Sequence, residues 1–247
     1  MNEFRFSFGK ALLLWLSLSL YGIAVNAAPE LVPFTAEYKL KRAGISIAKA
    51  RFSLKKLDDE GRYVYESHTS SSRWLSWLSR DKLHERSEMR LDDQGIHPIE
   101  YRYDHTGGDK ERHVRLSFDW EKRRVVNDIN DDRWSMDIPP GTLDKFIVQV
   151  ALMLDVPRQD KELTYQVADG GRLKTYKFTR LEEDRIKTPV GTFRAIRVKR
   201  LEDKRQTEFW CAPALGYLPI RVIQRVKGGT YTMTLTKLKG FDIAANR

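Results

Sequence analysis

Histidine is the residue of this chain best suited to bind a metal or to move a proton near neutral pH. No two histidines lie four residues apart with a glutamate between them, and none lies close to Cys211 in sequence. A local zinc motif is therefore absent. We expect isolated polar strand positions and no metal site, with a site built from distant His and Asp residues as the alternative. The five histidines are His68, His84, His97, His105 and His113.

No nucleophile is activated by its sequence context. The chain contains no Gly-x-Ser-x-Gly elbow, phosphate-binding glycine loop or dinucleotide fingerprint. Cys211 is the only cysteine and lies in the apolar stretch 208–212, so it forms no intramolecular disulfide and we expect a buried, inert thiol. Carboxylates cluster in loop-like runs, whereas a paired acid–base site needs one carboxyl in an apolar pocket. The sequence predicts no catalytic residue and no cofactor.

One segment has a composition typical of an apolar ligand site. In residues 73–80 (RWLSWLSR), two tryptophans and two leucines share one face of a short helix and cations flank them: Trp74, Leu75, Trp77 and Leu78, with Arg73, Arg80 and Lys82. This pattern is typical of a loop that contacts a membrane interface or caps an apolar cavity. The alternative is an ordinary loop whose aromatic side chains pack on the core.

Basic residues near the C-terminus form a second candidate binding surface. They alternate with apolar residues along two predicted strands, and the five residues are Arg194, Arg197, Lys199, Arg221 and Arg225. If these strands are adjacent, the side chains form a positive outer face. The alternative is a solvated strand face, because antiparallel sheets commonly expose one side to water.

Strands must position these residues, because alternation of apolar and polar residues dominates the chain after residue 33. Clean examples are 34–40, 114–120, 218–222 and 231–235. Gly170 and Gly171 separate the runs 163–167 and 173–178, which predicts a hairpin.

One segment has helical period. Thr142 is the expected N-cap and Pro157 ends the pattern, whose apolar residues are Leu143, Phe146, Ile147, Val150 and Leu154. A sheet of this length must curl or close. The predicted fold class is mainly β (α+β), a large curved antiparallel sheet or open half-barrel with one inserted amphipathic helix.

The N-terminus has the pattern of a secretory signal peptide. Arg5 and Lys10 precede a mostly apolar run from 11 to 25, and the small-residue pattern 25–27 resembles a signal peptidase site. We expect residues 1–27 to be a signal peptide cleaved after Ala27, and 28–247 to form a single β-rich periplasmic domain. The alternative is an uncleaved anchor, although the run is short for a membrane span.

The balance of charge is strongly basic, with 44 Lys and Arg against 34 Asp and Glu and a formal net charge of +10. Export argues against nucleic acid as the partner. The remaining anionic partners are phospholipid headgroups, lipopolysaccharide phosphates and acidic glycans, and peripheral membrane contact is compatible with the charge. The alternative is a charged surface that only maintains solubility. We expect a monomer.

Several motifs resemble those of a known family. They include 188–193 (TPVGTF), 209–213 (FWCAP), 217–222 (YLPIRV), 95–101 (GIHPIEY) and 165–170 (YQVADG). Together they resemble the bacterial exported family known as domain of unknown function 3108, over nearly the whole mature chain. The resemblance implies a periplasmic β-rich protein without agreed catalytic residues. By analogy only, its architecture is similar to the envelope lipoprotein carriers, and fold does not determine function.

The leading hypothesis is a non-enzymatic periplasmic protein that binds an apolar or lipid-like ligand in the concavity of the sheet. Phe146, Ile147 and Val150 would line the concavity, with the Trp74 and Trp77 segment near its mouth. The alternative is an envelope assembly or scaffold protein that binds a protein or acidic glycan through the basic strand face. A hydrolase is the third and least favoured hypothesis, because no nucleophile, base and orienting group occur together in the sequence.

Overall fold

The structure is a computed structural model that describes residues 31–58, 60–71, 82–107, 111–158, 161–201 and 206–242. Its helical elements within these ranges are α1 (Val148–Asp155) and a 3-10 turn (Pro213–Leu215). Its strands are β1 (Phe34–Arg42), β2 (Ile45–Lys56), β3 (Arg62–Ser71), β4 (Lys82–Asp92), β5 (Gly95–Thr106), β6 (Arg112–Asp119), β7 (Arg124–Ile129), β8 (Asp132–Asp137), β9 (Leu143–Asp144), β10 (Glu162–Asp169), β11 (Arg172–Thr188), β12 (Gly191–Leu201), β13 (Thr207–Ala212), β14 (Leu218–Val226) and β15 (Gly229–Lys239).

In the described part of the chain, fifteen strands form one sheet in the order β8-β7-β6-β5-β4-β3-β2-β1-β15-β14-β13-β12-β11-β10-β9. Neighbours pair antiparallel, except that β9 runs parallel to β10. The N-terminal and C-terminal strands therefore meet at the centre of the sheet, where β1 pairs with β15. The predicted curved, mainly antiparallel sheet with an inserted helix is confirmed.

The sheet curls until its two ends approach each other. Lys145, which follows β9, lies 4.4 Å from the ring centroid of Tyr103 on β5. The β10–β11 turn lies against Trp134 of β8, since a Cβ added at Gly171 would overlap the indole ring. Among the described strands, β8 and β9 each have a strand neighbour on one side only, so the sheet is barrel-like without being closed.

The inward face of the sheet and helix α1 form one hydrophobic core. The ring of Tyr65 stacks on Phe146 with centroids 4.4 Å apart, and its hydroxyl donates to Gln149 Oε1 at 3.0 Å. Five of the eight residues of α1 are buried: Val148, Val150, Ala151, Leu152 and Met153. Most of the circumference of the helix is therefore buried, whereas an amphipathic surface helix buries only one apolar stripe.

The predicted start of the helix at Thr142 is wrong. Leu143 and Asp144 are extended and pair with Val167 and Ala168 of β10, and the Thr142 hydroxyl donates to the carbonyl of Pro139 instead of capping a helix. The Asp144 carboxylate then accepts the amide hydrogens of Phe146 and Ile147. That turn separates β9 from α1, because a carboxylate that binds these amides favours a turn over a continuous helix.

Two predicted segments lie outside the described residues. They are the signal peptide, residues 1–27, and the segment 72–81, which contains Trp74, Leu75, Trp77 and Leu78. No helix in the described ranges is long and apolar enough to cross a membrane.

Candidate functional site

A cleft of about 120 Å³ lies where the two ends of the curled sheet face each other. We call it the seam cleft. Strands β5 and β6 form one wall, and the end of β10 with Lys145 forms the other. The described residues that line it are Tyr101, Tyr103, Arg112, Val114, Leu116, Lys145, Ala168, Asp169 and Gly170.

Lys145 is the central cation of the seam cleft. Its ammonium lies 3.3 Å from Glu85 Oε1, 4.4 Å from the Tyr103 ring centroid and 5.6 Å from the Tyr101 ring centroid. The side chain reaches this position because β9 pairs with β10 immediately before it. Two aromatic faces and a carboxylate therefore stabilise a cation whose side chain is only about one-third exposed.

The two carboxylates near the cleft are already hydrogen-bonded by other side chains. Glu85 accepts the hydroxyl of Tyr101 at 2.8 Å. Asp169 accepts from the Lys174 ammonium at 2.6 Å and from the Tyr176 hydroxyl at 2.8 Å. Burial raises the pKa of Asp169, but these two hydrogen bonds outweigh it and hold the pKa below its ordinary value. Asp169 is therefore ionised at neutral pH.

The charges around the seam cleft favour an anion. Two cations, Lys145 and Arg112, line the cleft with one carboxylate, Asp169. Asp169 is engaged by Lys174 and Glu85 is paired with Lys145, and Arg112 and Lys145 are the cations that line the cleft. Arg112 is exposed and lies at its outer side. An anionic group that entered from solvent would meet both cations.

A buried polar group connects the cleft wall to the start of the helix. Asp144 is fully buried, and its Oδ1 accepts from the Ser87 hydroxyl at 3.0 Å and from the amides of Phe146 and Ile147. In the described residues, its Oδ2 has no hydrogen-bond partner. Burial raises the pKa of Asp144 to about 6, with a smaller contribution from the charge of Glu85.

The apolar residues predicted to contact a ligand lie in the core. Phe146, Ile147 and Val150 are buried against the sheet, and the seam cleft is lined by other residues. In this arrangement they pack the protein interior. Their role as ligand contacts, like that of the Trp74 and Trp77 segment, stays a prediction.

The structure brings together four of the five predicted basic residues. Strand alternation places Arg197 and Lys199 on one face of β12, and Arg221 and Arg225 lie on the same side of β14. Arg194 lies on the opposite face of β12, because its separation of three residues from Arg197 is odd.

Acidic side chains offset the charge of this basic face. Arg197 lies 3.2 Å from Glu182 Oε1, and Arg225 lies 2.6 Å from Glu208 Oε1. Trp210 lies between Arg197 and Arg221 in the strand register, and its indole donates to Asp184 Oδ2 at 2.7 Å. The face is therefore an ion-paired surface around a tryptophan, with a smaller positive potential than its arginine content suggests.

Sequence reasoning missed the residues that form the seam cleft. Lys145 lies inside the helical pattern, and Glu85 lies in a weakly alternating segment. No local sequence pattern therefore marked either residue as part of a binding site. The alternation of Tyr101 and Tyr103 marks one inward face of β5, but the opposite wall comes from β9 and β10. The described lining contains no histidine, serine or cysteine, and its chemistry suits binding.

One group of described residues has the donor atoms of a metal site. Glu66, His68 and His84 lie together on the outer surface of β3 and β4, away from the seam cleft, and each offers one ligand atom. Sequence spacing did not reveal them, because His84 joins the other two only through the register of neighbouring strands.

A family model matches most of the chain, and one solved structure supports the fold. A family model described as "Protein of unknown function (DUF3108)" matches residues 34–236. The beta-barrel-like protein of domain of unknown function DUF1849 from Brucella abortus superposes with a TM-score of 0.57 at 11% identity, covering 87% of this chain and all of that one. A protein with a YmcC-like fold from Bacteroides fragilis has a TM-score of 0.40 at 12% identity, covering 86% of this chain and 98% of that one. No curated protein matches the chain.

Proposed function

The chain belongs to the DUF3108 family of proteins of unknown function, and we propose that it is a non-enzymatic periplasmic protein that binds a small anionic headgroup in the seam cleft. The headgroup belongs to an envelope component such as an anionic phospholipid. The observation that carries the proposal is the pair of cations, Lys145 and Arg112, that line a cleft walled by Tyr101 and Tyr103.

The contacts of Lys145 support the binding of an anion. Its ammonium is held by Glu85 at 3.3 Å and by the ring of Tyr103, so it is positioned before a ligand arrives. Preorganised groups bind more tightly because less side-chain entropy is lost on association. Arg112 adds a planar donor of the kind that binds phosphate or carboxylate through two hydrogen bonds.

The size of the cleft limits what enters it. A cavity of about 150 Å³ holds a molecule of the size of benzene, and the seam cleft measures about 120 Å³. It therefore accommodates a headgroup fragment and not an acyl chain. An acyl chain attached to the headgroup would lie outside the cleft, which differs from an apolar ligand enclosed by Phe146, Ile147 and Val150.

The proposed location rests on the N-terminal sequence. Residues 1–27 combine Arg5 and Lys10 with an apolar run and a small-residue cleavage pattern. A periplasmic protein meets anionic lipid headgroups and phosphates, and a formal net charge of +10 attracts them. The seam cleft supplies the specific contacts that a uniformly basic surface lacks.

The first experiment identifies the bound compound. The mature protein, 28–247, is purified without a tag from a periplasm, and native mass spectrometry and organic extraction measure what it carries. We expect a stoichiometric anionic amphiphile. A ligand-free protein that also fails the titration below would contradict the proposal.

The second experiment tests the cleft directly. Isothermal titration compares dihexanoyl phosphatidylglycerol with zwitterionic dihexanoyl phosphatidylcholine, below their critical micelle concentrations. We expect the anionic lipid to bind and Lys145→Met to weaken its binding about tenfold, the loss of one charge-assisted hydrogen bond. Lys49→Met, an equal charge change at an exposed position on β2, is the matched control. Equal weakening by both substitutions would show that only overall charge matters and would overturn the assignment of the cleft.

A further inference from the structure

The outer surface of the β3–β4 hairpin carries a second group of chemically active side chains. His68 and His84 are directly opposite each other in the antiparallel register, and Glu66 precedes His68 by two residues on the same strand. Side chains two residues apart on a strand point to the same face. The three side chains therefore converge, and their ligand atoms all lie within 4.8 Å of one another.

The geometry of these three side chains is close to that of a metal site. His84 Nε2 lies 2.8 Å and His68 Nε2 lies 3.5 Å from Glu66 Oε1. The two imidazole rings are nearly parallel, at an interplanar angle of 8° with centroids 4.2 Å apart. Around a tetrahedral Zn²⁺ with bonds of 2.0–2.2 Å, ligand atoms are separated by about 3.4 Å. The two measured distances, 2.8 Å and 3.5 Å, lie on either side of that spacing, and the stacked imidazole rings must rotate apart to direct both nitrogens at one ion.

We propose that Glu66, His68 and His84 form a binding site for a divalent transition-metal ion, with Zn²⁺ as the first candidate. Two imidazole nitrogens and one carboxylate oxygen are a donor set that suits zinc. Three protein ligands leave at least one coordination position for water or for a group from another molecule. The site lies on the convex surface, and the more exposed histidine, His68, has 58% of its side chain accessible, so an ion enters directly from solvent.

Three cations neighbour the site: Lys55, whose charge acts on Glu66, and two arginines that are paired with other carboxylates. Arg51 is opposite His68 and Arg86 is opposite Glu66 in the register, but each binds another carboxylate. Arg51 lies 2.8 Å from Glu37, and Arg86 lies 3.1 Å from Glu88. On the far side of His84, Asp104 is opposite it in the register and accepts the hydrogen of His113 Nδ1 at 2.7 Å.

The carboxylate is ready to act as a ligand at neutral pH. Burial raises the pKa of Glu66, but the hydrogen bond with His84 opposes this effect, and the pKa lies below its ordinary value. Metal binding requires ionised carboxylate and neutral imidazole.

Zinc titration of the tag-free mature protein tests the site. The protein is stripped with a chelator, and competition with a chromophoric zinc indicator at pH 7.5 measures affinity and stoichiometry. We expect one Zn²⁺ per chain and a loss of affinity of about tenfold or more in His84→Gln and in Glu66→Gln. Removing a direct ligand should lower the metal affinity at least as much as removing an outer-shell partner, which lowers it about 10–100-fold.

His113→Gln is the matched control, because His113 also pairs with a carboxylate on the same outer face but belongs to no group of three ligands among the described residues. We expect it to bind zinc as the wild type does. Zinc should also raise the melting temperature of the wild type and of His113→Gln, and not that of His84→Gln. The absence of zinc binding by the wild type, or equal loss in His84→Gln and His113→Gln, would overturn the proposal.

Discussion

Trp134 of strand β8 lies against Gly171 in the turn between β10 and β11, and this contact joins the two ends of the curled sheet. Gly171 has a φ of +75°, and a Cβ at this position would overlap the indole ring. Both the backbone conformation and the close approach therefore require glycine. The seam cleft lies beside this contact, with neighbouring Gly170 in its lining.

Substitution of Gly171 tests the contact that joins the ends of the sheet. We expect Gly171→Ala to lower the free energy of unfolding by about 3 kcal/mol, from backbone strain together with overpacking. Gly170→Ala is the control, since Gly170 has a φ of +61° with open space around its Cβ position. This substitution should lower the free energy of unfolding by about 1 kcal/mol. Urea denaturation measures both. In a Trp134→Ala background, Gly171→Ala should cost no more than the control; an undiminished cost there would show that the indole is not responsible.

The carboxyl group of Asp144 should make stability depend on pH. Burial raises its pKa from an ordinary 3.8 to about 6. Between these values the folded state holds a proton that the unfolded state has released, so the free energy of unfolding falls as pH rises through this range. The shift corresponds to about 3 kcal/mol for complete titration.

Asp144→Asn removes this titration. The amide retains an oxygen that accepts from Ser87 and from the Phe146 and Ile147 amides, so the fold should persist. We expect the stability of the variant relative to the wild type to increase by about 2 kcal/mol between about pH 4 and pH 7, since the titration is incomplete at pH 4. Urea denaturation at each pH measures the difference. A difference that does not change with pH would contradict the raised pKa.

Two arginines of β12 should differ in their tolerance of charge reversal. The Arg197 side chain is 30% exposed, beside Glu182 and Glu208, whereas the Arg194 side chain is 75% exposed and pairs with Glu183. We expect Arg197→Glu to lower the free energy of unfolding by about 2 kcal/mol, because it places a third carboxylate beside those of Glu182 and Glu208. Arg194→Glu should cost below about 1 kcal/mol. Chemical denaturation compares the two variants, and equal costs would contradict the difference in burial and carboxylate neighbours of the two arginines.

The thiol of Cys211 should be inert in the folded protein. It is buried, and burial raises its pKa to about 12. The reactive thiolate is therefore scarce at pH 8. Ellman's reagent should label no thiol in the native protein and one per chain in guanidinium chloride. Rapid native labelling would show that the site opens to solvent.

The sequence alone predicted several of the local elements correctly. The period-two alternation around Gly170 and Gly171 predicted the hairpin of β10 and β11, and the apolar context of Cys211 predicted its burial. Alternation and glycine turns are local properties, so they are visible without tertiary contacts. The pattern after Thr142 predicted a helix but placed its start too early. Strand pairing of Leu143 and Asp144 with β10 overrides local helical preference there, and that pairing depends on residues more than twenty positions away.

Only the tertiary structure determined which polar residues lie together. Lys145 meets Tyr103 because the sheet curls through fifteen strands, and His84 meets Glu66 because of one register among several that alternation allows. A shift of one residue would move the His84 side chain to the opposite face. Alternation shows that a strand has two faces, but register and curvature arise from the packing of distant segments. The sequence by itself therefore determined the class of fold, and the three-dimensional arrangement decided where a ligand or a metal could bind.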